Sequence, residues 1–276
     1  MDKTTVKIGL CQMKISEDKQ ANLQRAEEMI AQAASLGADF VLLPEMFVCP
    51  FANANFRPSA EPPMGPAVRR MGAQAARRGV YLIAGSVPEI QDGKVYNTSY
   101  LFDRQGQVVA RHRKIHLFDA VLKDGTVHKE SAAVAHGDQV TVTETEFGTA
   151  GLAICFDVRF AELFRLMGNA GAKMIFLPAA FNHTTGPAHW EITLRMRALD
   201  QQCFVAACAP AQDETCVYHS WGHSMVTGPS GQVILDAGED ECVSVAEIDL
   251  NEIELNRRIL PIVSGRRTDV YDTIRQ

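Results

Sequence analysis

One stretch of this chain occurs twice. Gly37-Ala38-Asp39-Phe40-Val41-Leu42-Leu43-Pro44-Glu45 and Gly171-Ala172-Lys173-Met174-Ile175-Phe176-Leu177-Pro178-Ala179 share a Gly-Ala start, an apolar run and a proline, 134 residues apart. Val80-Tyr81-Leu82-Ile83-Ala84-Gly85 has a counterpart in Cys203-Phe204-Val205-Ala206-Ala207-Cys208. The turn at Gly106-Gln107-Val108-Val109 returns 125 residues later as Gly231-Gln232-Val233-Ile234. Strand-like runs alternate with helix-like ones throughout, which argues for an α/β protein. The near-constant offset predicts two βαβαββ-like halves packed on each other; chance likeness between generic α/β units is the competing reading. The repeat is imperfect at one informative place. Glu45 stands where the second half has Ala179, so a strand end of this kind does not need the carboxylate.

The local signals agree with such halves. Val6–Cys11 alternates and reads as a strand. Residues 22–36 place Leu23, Ala26, Ile30 and Ala33 on one helical face, with Gly37 as the stop. Phe40–Leu43 is a buried strand, 66–78 a basic helix ended by Gly79, and Val80–Gly85 another strand. Residues 97–111 read as a hairpin turning at Asp103-Arg104-Gln105-Gly106. No linker or low-complexity segment divides the 276 residues, so a single domain over 1–276 is expected.

Composition excludes several classes. The chain is 46% hydrophobic and 22% charged, ordinary globular values, and its net charge of -6 gives no nucleic-acid footprint. On charge alone, the basic run 111–114 reads as a solvated loop. The start, Met1 to Val6, enters a strand pattern without an apolar leader, and no apolar run approaches the roughly 18 residues that span a bilayer. Seven cysteines, an odd number and scattered, read as reduced thiols in a cytoplasmic-type compartment. No Cys/His spacing suggests zinc, so neither metal nor cofactor is expected.

Three segments carry candidate chemistry. Gly151-Leu152-Ala153-Ile154-Cys155 reads as a strand that ends on a thiol. Phe40–Glu45 ends on a carboxylate, and Arg111–His116 contains Lys114. A thiol attacks only as thiolate, so it needs a base or a cation nearby. Glu45 is the candidate base, Lys114 the candidate cation, and the Phe156 N–H a candidate second oxyanion donor. Singly, each has a bland reading: a structural cysteine, a capping glutamate, a solvated lysine. His116 reads as locally packed, His189 and His223 as loop-orienting.

Together the blocks Leu43-Pro44-Glu45, Arg113-Lys114-Ile115-His116-Leu117-Phe118 and Gly151 to Phe160 (Gly-Leu-Ala-Ile-Cys-Phe-Asp-Val-Arg-Phe) resemble the three signatures of the nitrilase, or carbon–nitrogen hydrolase, superfamily. Their order and spacing, 69 and 41 residues between the key positions, fit that family, and the resemblance runs from about residue 6 to 272. It implies an α/β fold, a four-layer α–β–β–α sandwich with pseudo-two-fold halves. It implies a cofactor-free amidase with Cys155 as nucleophile, Glu45 as proton shuttle and Lys114 at the oxyanion. The segments Ala180 to Trp190 and Ser220-Trp221-Gly222-His223-Ser224 are similar to the omega-amidase branch, which acts on 2-oxoglutaramate and 2-oxosuccinamate. By that likeness Glu130 is a second glutamate of the site, and Arg159 and Thr185 hold the substrate carboxylate; an ion pair of Arg159 with Glu162 is the structural alternative. The chain departs from the branch at Phe47-Val48-Cys49-Pro50-Phe51, where Phe51 lacks a phenolic hydroxyl that would face the substrate. The rival readings are a deaminated-glutathione, N-carbamoyl or aliphatic amidase, or a non-catalytic scaffold. The superfamily also implies a homodimer or higher homo-oligomer, with the helix starting near Ala161 as its contact. The expected partner is a small-molecule amide, with no nucleic acid and no membrane.

Overall fold

The computed structural model describes residues 4–123 and 125–271. The ends of the domain expected over 1–276, and residue 272 where the resemblance stops, lie outside the described residues. The first half contains β1 (Thr5–Gln12), α1 (Lys19–Ser35), β2 (Phe40–Leu42), α2 (Asn53–Ser59), α3 (Pro66–Arg78), β3 (Tyr81–Ile83), β4 (Val87–Gln91), β5 (Lys94–Phe102) and β6 (Val108–Arg113). A hairpin of β7 (Asp119–Val121) and β8 (Val127–Lys129) follows. The second half contains β9 (Thr141–Thr145), β10 (Gly148–Leu152), α4 (Ala161–Asn169), β11 (Met174–Pro178), α5 (Gly186–Gln201), β12 (Phe204–Cys208), β13 (Met225–Thr227) and β14 (Val233–Asp236). The chain continues through β15 (Cys242–Asp249) and α6 (Asn251–Ile259).

The pairing confirms the repeat. In the first sheet β1, β2 and β3 run parallel, β5 pairs antiparallel to β3, and β6 pairs antiparallel to β5. In the second, β10, β11 and β12 run parallel, followed by antiparallel β13 and β14. Each half is thus a βαβαββ unit, as the sequence offset predicts. An antiparallel strand flanks each unit, β15 beside β1 and β9 beside β10.

Period-two side-chain alternation turns these units into four layers. Phe40 and Leu42 point into a core shared with Met174, Phe176 and Phe204 of the other sheet, where the Phe40 and Phe176 rings lie 4.9 Å apart. Val41 and Leu43 point the other way, onto Leu23, Ala26 and Ile30 of α1 and Val68 and Met71 of α3. Ile175 and Leu177 likewise face Phe164 and Met167 of α4 and Trp190 and Leu194 of α5. Strands apolar on both faces are what a sheet covered on both sides requires.

Some boundaries differ from the sequence reading. α1 starts at Lys19, because the Asp18 side chain caps the Gln20 and Ala21 N–H groups at 2.8 and 3.2 Å. Its polar first turn carries no hydrophobic period to reveal it. The segment 111–113 is the end of β6 rather than a solvated loop, with Arg113 paired to buried Glu89. α3 ends as expected at Gly79, which adopts the left-handed conformation that glycine takes without strain (φ +64°). No helix of the described residues is long and apolar enough to cross a membrane.

Candidate active site

Glu45 lies just past β2. Its N–H donates to the Ala179 carbonyl at 3.3 Å, so the two residues that the repeat makes equivalent touch each other across the halves. The following residue, Met46, has φ +52° and donates its N–H to Ser86 Oγ at 3.0 Å. Gly85 lets the β3 end approach this turn: a Cβ there would stand 2.1 Å from the Pro44 carbonyl. Lys114 follows β6, and its N–H donates to the Asn97 carbonyl at 2.9 Å. Glu130 opens the short turn after β8, and its Oε2 accepts the Phe118 N–H at 2.7 Å.

These side chains converge in a fully buried cluster. Lys114 Nζ donates to Glu45 Oε1 and to Glu130 Oε2, both at 2.8 Å. Asn97 Nδ2 donates to Glu45 Oε1 at 2.8 Å and to Glu130 Oε1 at 3.2 Å. The other Glu45 oxygen, Oε2, is buried without a hydrogen-bond partner among the described residues. Burial pushes the Glu45 pKa up; Lys114 opposes the shift and Glu130 adds to it. Burial alone would lower the Lys114 pKa, but the Glu130 and Glu45 carboxylates outweigh it and hold the ammonium charged. The expectation that a lysine among arginines is solvated fails here, because two carboxylates give its ammonium a dry, paired place.

Cys155 comes from the second half. The sequence places it at the end of a strand; the structure ends β10 at Leu152 and puts Cys155 at the start of a 3-10 turn, Cys155–Arg159. It is a non-glycine residue at φ +45°, a conformation that costs about 1–3 kcal/mol unless its surroundings enforce it. The Ala180 N–H points at its sulfur at 3.5 Å. Burial, then the Glu45 charge, push the thiol's pKa well above its ordinary value, so the resting sulfur keeps its proton. Phe156 is the next residue of the turn, where the first N–H groups have no partner within the helix.

A recess of about 210 Å³ opens at the thiol, lined by Phe118, Cys155, Phe156, Arg159, Ala180, Phe181, Asn182, Thr185 and Tyr218. The Arg159 guanidinium lies 5.5 Å from the Phe156 ring and 5.0 Å from the Phe181 ring. Its NH1 donates to His189 Nδ1 at 3.1 Å, so His189 carries its proton on Nε2. Arg159 Nε has no partner, and among the described residues the guanidinium has no carboxylate; the pair with Glu162 does not form. Thr185 is in the same recess, with its hydroxyl donating to Asn182 Oδ1 at 2.9 Å. Phe51 lies on the other side of Tyr218. Its ring packs 5.1 Å from that of Tyr218 and 5.3 Å from Lys114 Nζ, and it lines a second recess together with Glu45.

The structure therefore brings Glu45, Lys114, Glu130 and Cys155 together, with Arg159 and Thr185 beside the thiol. Three residues that line or adjoin the site escaped the sequence reading. Asn97 had a signal, a polar run Asn97-Thr98-Ser99 inside an otherwise apolar strand. Asp157 stood in the block around Cys155. Tyr218, whose hydroxyl donates to the Ala180 carbonyl at 2.5 Å, comes from an irregular loop and had no signal.

Known proteins resemble this chain in both sequence and fold. Residues 7–258 match the carbon-nitrogen hydrolase family. The chain is 43% identical to omega-amidase NIT2 of Xenopus tropicalis over 265 residues, covering 96% of each chain. It is 40% identical to omega-amidase NIT2 of Mus musculus over 268 residues, covering 97% of each. The crystal structure of Nit3 from Saccharomyces cerevisiae, a member of branch 10 of the nitrilase superfamily, superposes with a TM-score of 0.88 at 36% identity, covering 96% of this chain and 97% of that one.

Proposed function

The chain belongs to the carbon-nitrogen hydrolase family and is an amidase, and we propose that its substrate is a small dicarboxylate half-amide of the 2-oxoglutaramate or 2-oxosuccinamate type, cleaved to a carboxylate and ammonia. The observation that carries this reading is Arg159. A guanidinium in a small recess, flanked by two aromatic rings and without a carboxylate partner among the described residues, is matched by a substrate carboxylate at the end of the molecule away from the amide. The relatives named omega-amidase support the same class.

In the proposed reaction, Glu45 takes the thiol proton on Oε2 as the sulfur of Cys155 attacks the amide carbon. The carbonyl oxygen becomes an oxyanion held by Lys114 and the Phe156 N–H. Collapse breaks the C–N bond, and Glu45 returns the proton to the leaving nitrogen, which departs as ammonia. The thioester is then attacked by water, whose proton Glu45 accepts. The second tetrahedral adduct expels the sulfur, which is reprotonated. Glu130 and Asn97 fix Glu45 and Lys114 in register. Because burial and the Glu45 charge keep the resting thiol protonated, Glu45 has to take its proton for the sulfur to attack. One domain over 1–276 performs this chemistry, in a reducing, cytoplasmic-type compartment where the seven free cysteines stay reduced. It acts as a homodimer or higher oligomer. The structure turns the large apolar residues of α4 inward and leaves Ile192 and Met196 of neighbouring α5 exposed, so α5 shares the contact; light scattering at micromolar concentration checks it.

The test of substrate class is ammonia release from 2-oxoglutaramate, succinamate and an uncharged amide of equal length. The acids are preferred, and Arg159→Met removes that preference, a loss of about 2–5 kcal/mol in kcat/KM for the acid. Turnover of the neutral amide as fast as the acid would make the protein an aliphatic amidase instead.

A further inference from the structure

Asp157 is the buried ionisable group closest in sequence to Cys155 that the proposed chemistry does not use. It is fully buried and does not line the thiol recess. Its carboxylate accepts four hydrogen bonds. Oδ1 takes the His116 N–H at 2.9 Å and His116 Nδ1 at 2.8 Å. Oδ2 takes the Ile154 N–H at 3.0 Å and His112 Nε2 at 3.1 Å. A carboxylate has no proton to give, so both imidazoles present N–H groups to it. Burial would raise its pKa, but the hydrogen bonds from His112 and His116 hold it well below the ordinary carboxylate range. His112 is anchored in turn at Thr141 Oγ1 at 3.0 Å, and the His116 ring stacks on Phe160 at 3.6 Å.

The placement of these partners gives the arrangement its meaning. His112 and His116 are alternate residues on either side of Lys114. Ile154 and Asp157 bracket Cys155. One carboxylate thus joins the first-half segment that carries the ammonium to the second-half turn that carries the thiol. Through the Ile154 N–H it also restrains the backbone immediately before the strained Cys155.

We infer that Asp157 is a positioning residue for the amidase reaction: held by His112 and His116, it clamps the Cys155 turn to the Lys114 segment and so sets the distance between nucleophile and oxyanion cation. Neither sheet pairing nor the Glu45–Lys114–Glu130 cluster ties the thiol's turn to Lys114 in this way. A misplacement of about 1 Å at reacting groups costs on the order of 100-fold in rate, and here the nucleophile and the cation come from different halves.

The inference rests on Cys155 being the nucleophile, and the test separates the two. Ammonia release from 2-oxoglutaramate gives kcat and KM, and iodoacetamide labelling followed by mass spectrometry gives the reactivity of Cys155. Asp157→Asn is expected to lower kcat about 100-fold. The histidines provide variants that do not depend on how Asp157→Asn folds. His116→Leu and His112→Leu remove the donors and are expected to lower kcat about 10-fold or more. His116→Asn places an amide N–H where Nδ1 was, and His112→Gln places one where Nε2 was. Both are expected to recover most of the kcat and labelling rate that the leucine variants lose, although His116→Asn forfeits the Phe160 stacking just as leucine does. Equal losses in the leucine and amide variants, or leucine or Asp157→Asn variants that keep kcat within about threefold of the parent, would overturn the clamp. A parent protein that releases no ammonia from any short amide, with Cys155 labelled normally, would instead overturn the substrate reading.

Discussion

The two halves of this protein are the same fold used for different work. The first supplies Glu45, Asn97 and Lys114, all buried in a dry polar cluster. The second supplies Cys155, Arg159, Thr185 and Tyr218, which line a recess open to solvent. The contrast is sharpest at Glu45 and Ala179, which occupy equivalent strand ends and are joined by a hydrogen bond of 3.3 Å. A buried carboxylate is costly unless an ammonium and hydrogen bonds accompany it. The first half provides both. The second keeps alanine, and its main chain serves the site: the Ala179 carbonyl accepts from Glu45, and the Ala180 N–H faces the sulfur. The repeat makes a scaffold whose two strand ends meet, and the division of charge between them makes one site rather than two.

The most severe test of that division removes the thiol. Cys155→Ala is expected to lower ammonia release by about three orders of magnitude or more, with denaturant stability little changed, since only a single sulfur at the edge of the recess is lost. Activity above a few per cent of the parent, on the order expected only if another group attacks, would place the nucleophile elsewhere. Next in size is transplantation of the carboxylate. Glu45→Gln is expected to lower kcat by about 100-fold or more, chiefly without raising KM, because Glu45 acts on protons that move during reaction. Adding Ala179→Glu to it returns a carboxylate to the equivalent strand end. Ala179 is completely buried in an apolar cluster, so the change is expected to cost about 3 kcal/mol or more of stability and to restore no activity. Recovery of turnover in the double variant would mean that the halves are functionally interchangeable.

The same comparison shows what could be read from the sequence. The repeat, the strand alternation and the Gly79 stop are local signals, and the pairing order follows from them. Cys155 and Glu45 stand out by their chemistry at the ends of apolar runs and Lys114 in its basic run, and the family resemblance joins them into one set and adds Glu130. Local reasoning alone would have solvated Lys114, since its two carboxylate partners lie 69 and 16 residues away. Cys155 was assigned to a strand because Ala153 and Ile154 are as apolar as the strand before them; the turn is enforced by the Asp157 carboxylate, a side-chain effect with no hydrophobic period. Tyr218 and Asn97 reach the site through tertiary folding, and no window of sequence contains their partners.

A smaller effect reports on how the two carboxylates share the ammonium. Glu45 must be ionised to accept the thiol proton, and burial and Glu130 raise its pKa from 4.5. Activity therefore falls as the pH drops through a value above the ordinary glutamate range, by about tenfold per unit once the group is mostly protonated. Glu130→Gln removes a negative charge from beside Glu45, so its pKa falls and the acid limb of kcat/KM moves to lower pH. A limb that stays in place or moves to higher pH would assign it to a group other than Glu45.

The smallest expected change concerns the junction between the halves. Phe51 belongs to the first half and Tyr218 to the second, and their rings meet 5.1 Å apart beside Lys114. The sequence reading treats Phe51 as a lost hydroxyl that would face the substrate. The structure puts a phenol in the adjoining position: Tyr218 lines both the thiol recess and the Glu45 recess, and its hydroxyl holds the Ala180 carbonyl, whose residue faces the sulfur. If Tyr218 provides the polar contact at this junction, a second hydroxyl is redundant. Phe51→Tyr is then expected to alter kcat/KM for 2-oxoglutaramate by less than about threefold. Tyr218→Phe, which frees a buried carbonyl next to the nucleophile, is expected to lower it about tenfold, the worth of roughly 1–1.5 kcal/mol for one hydrogen bond. The ratio of acid to neutral amide turnover should be unchanged in both, because neither change touches Arg159, the proposed partner of the substrate carboxylate. The opposite ranking, a large gain from Phe51→Tyr and no loss from Tyr218→Phe, would return the specificity of this junction to the first half.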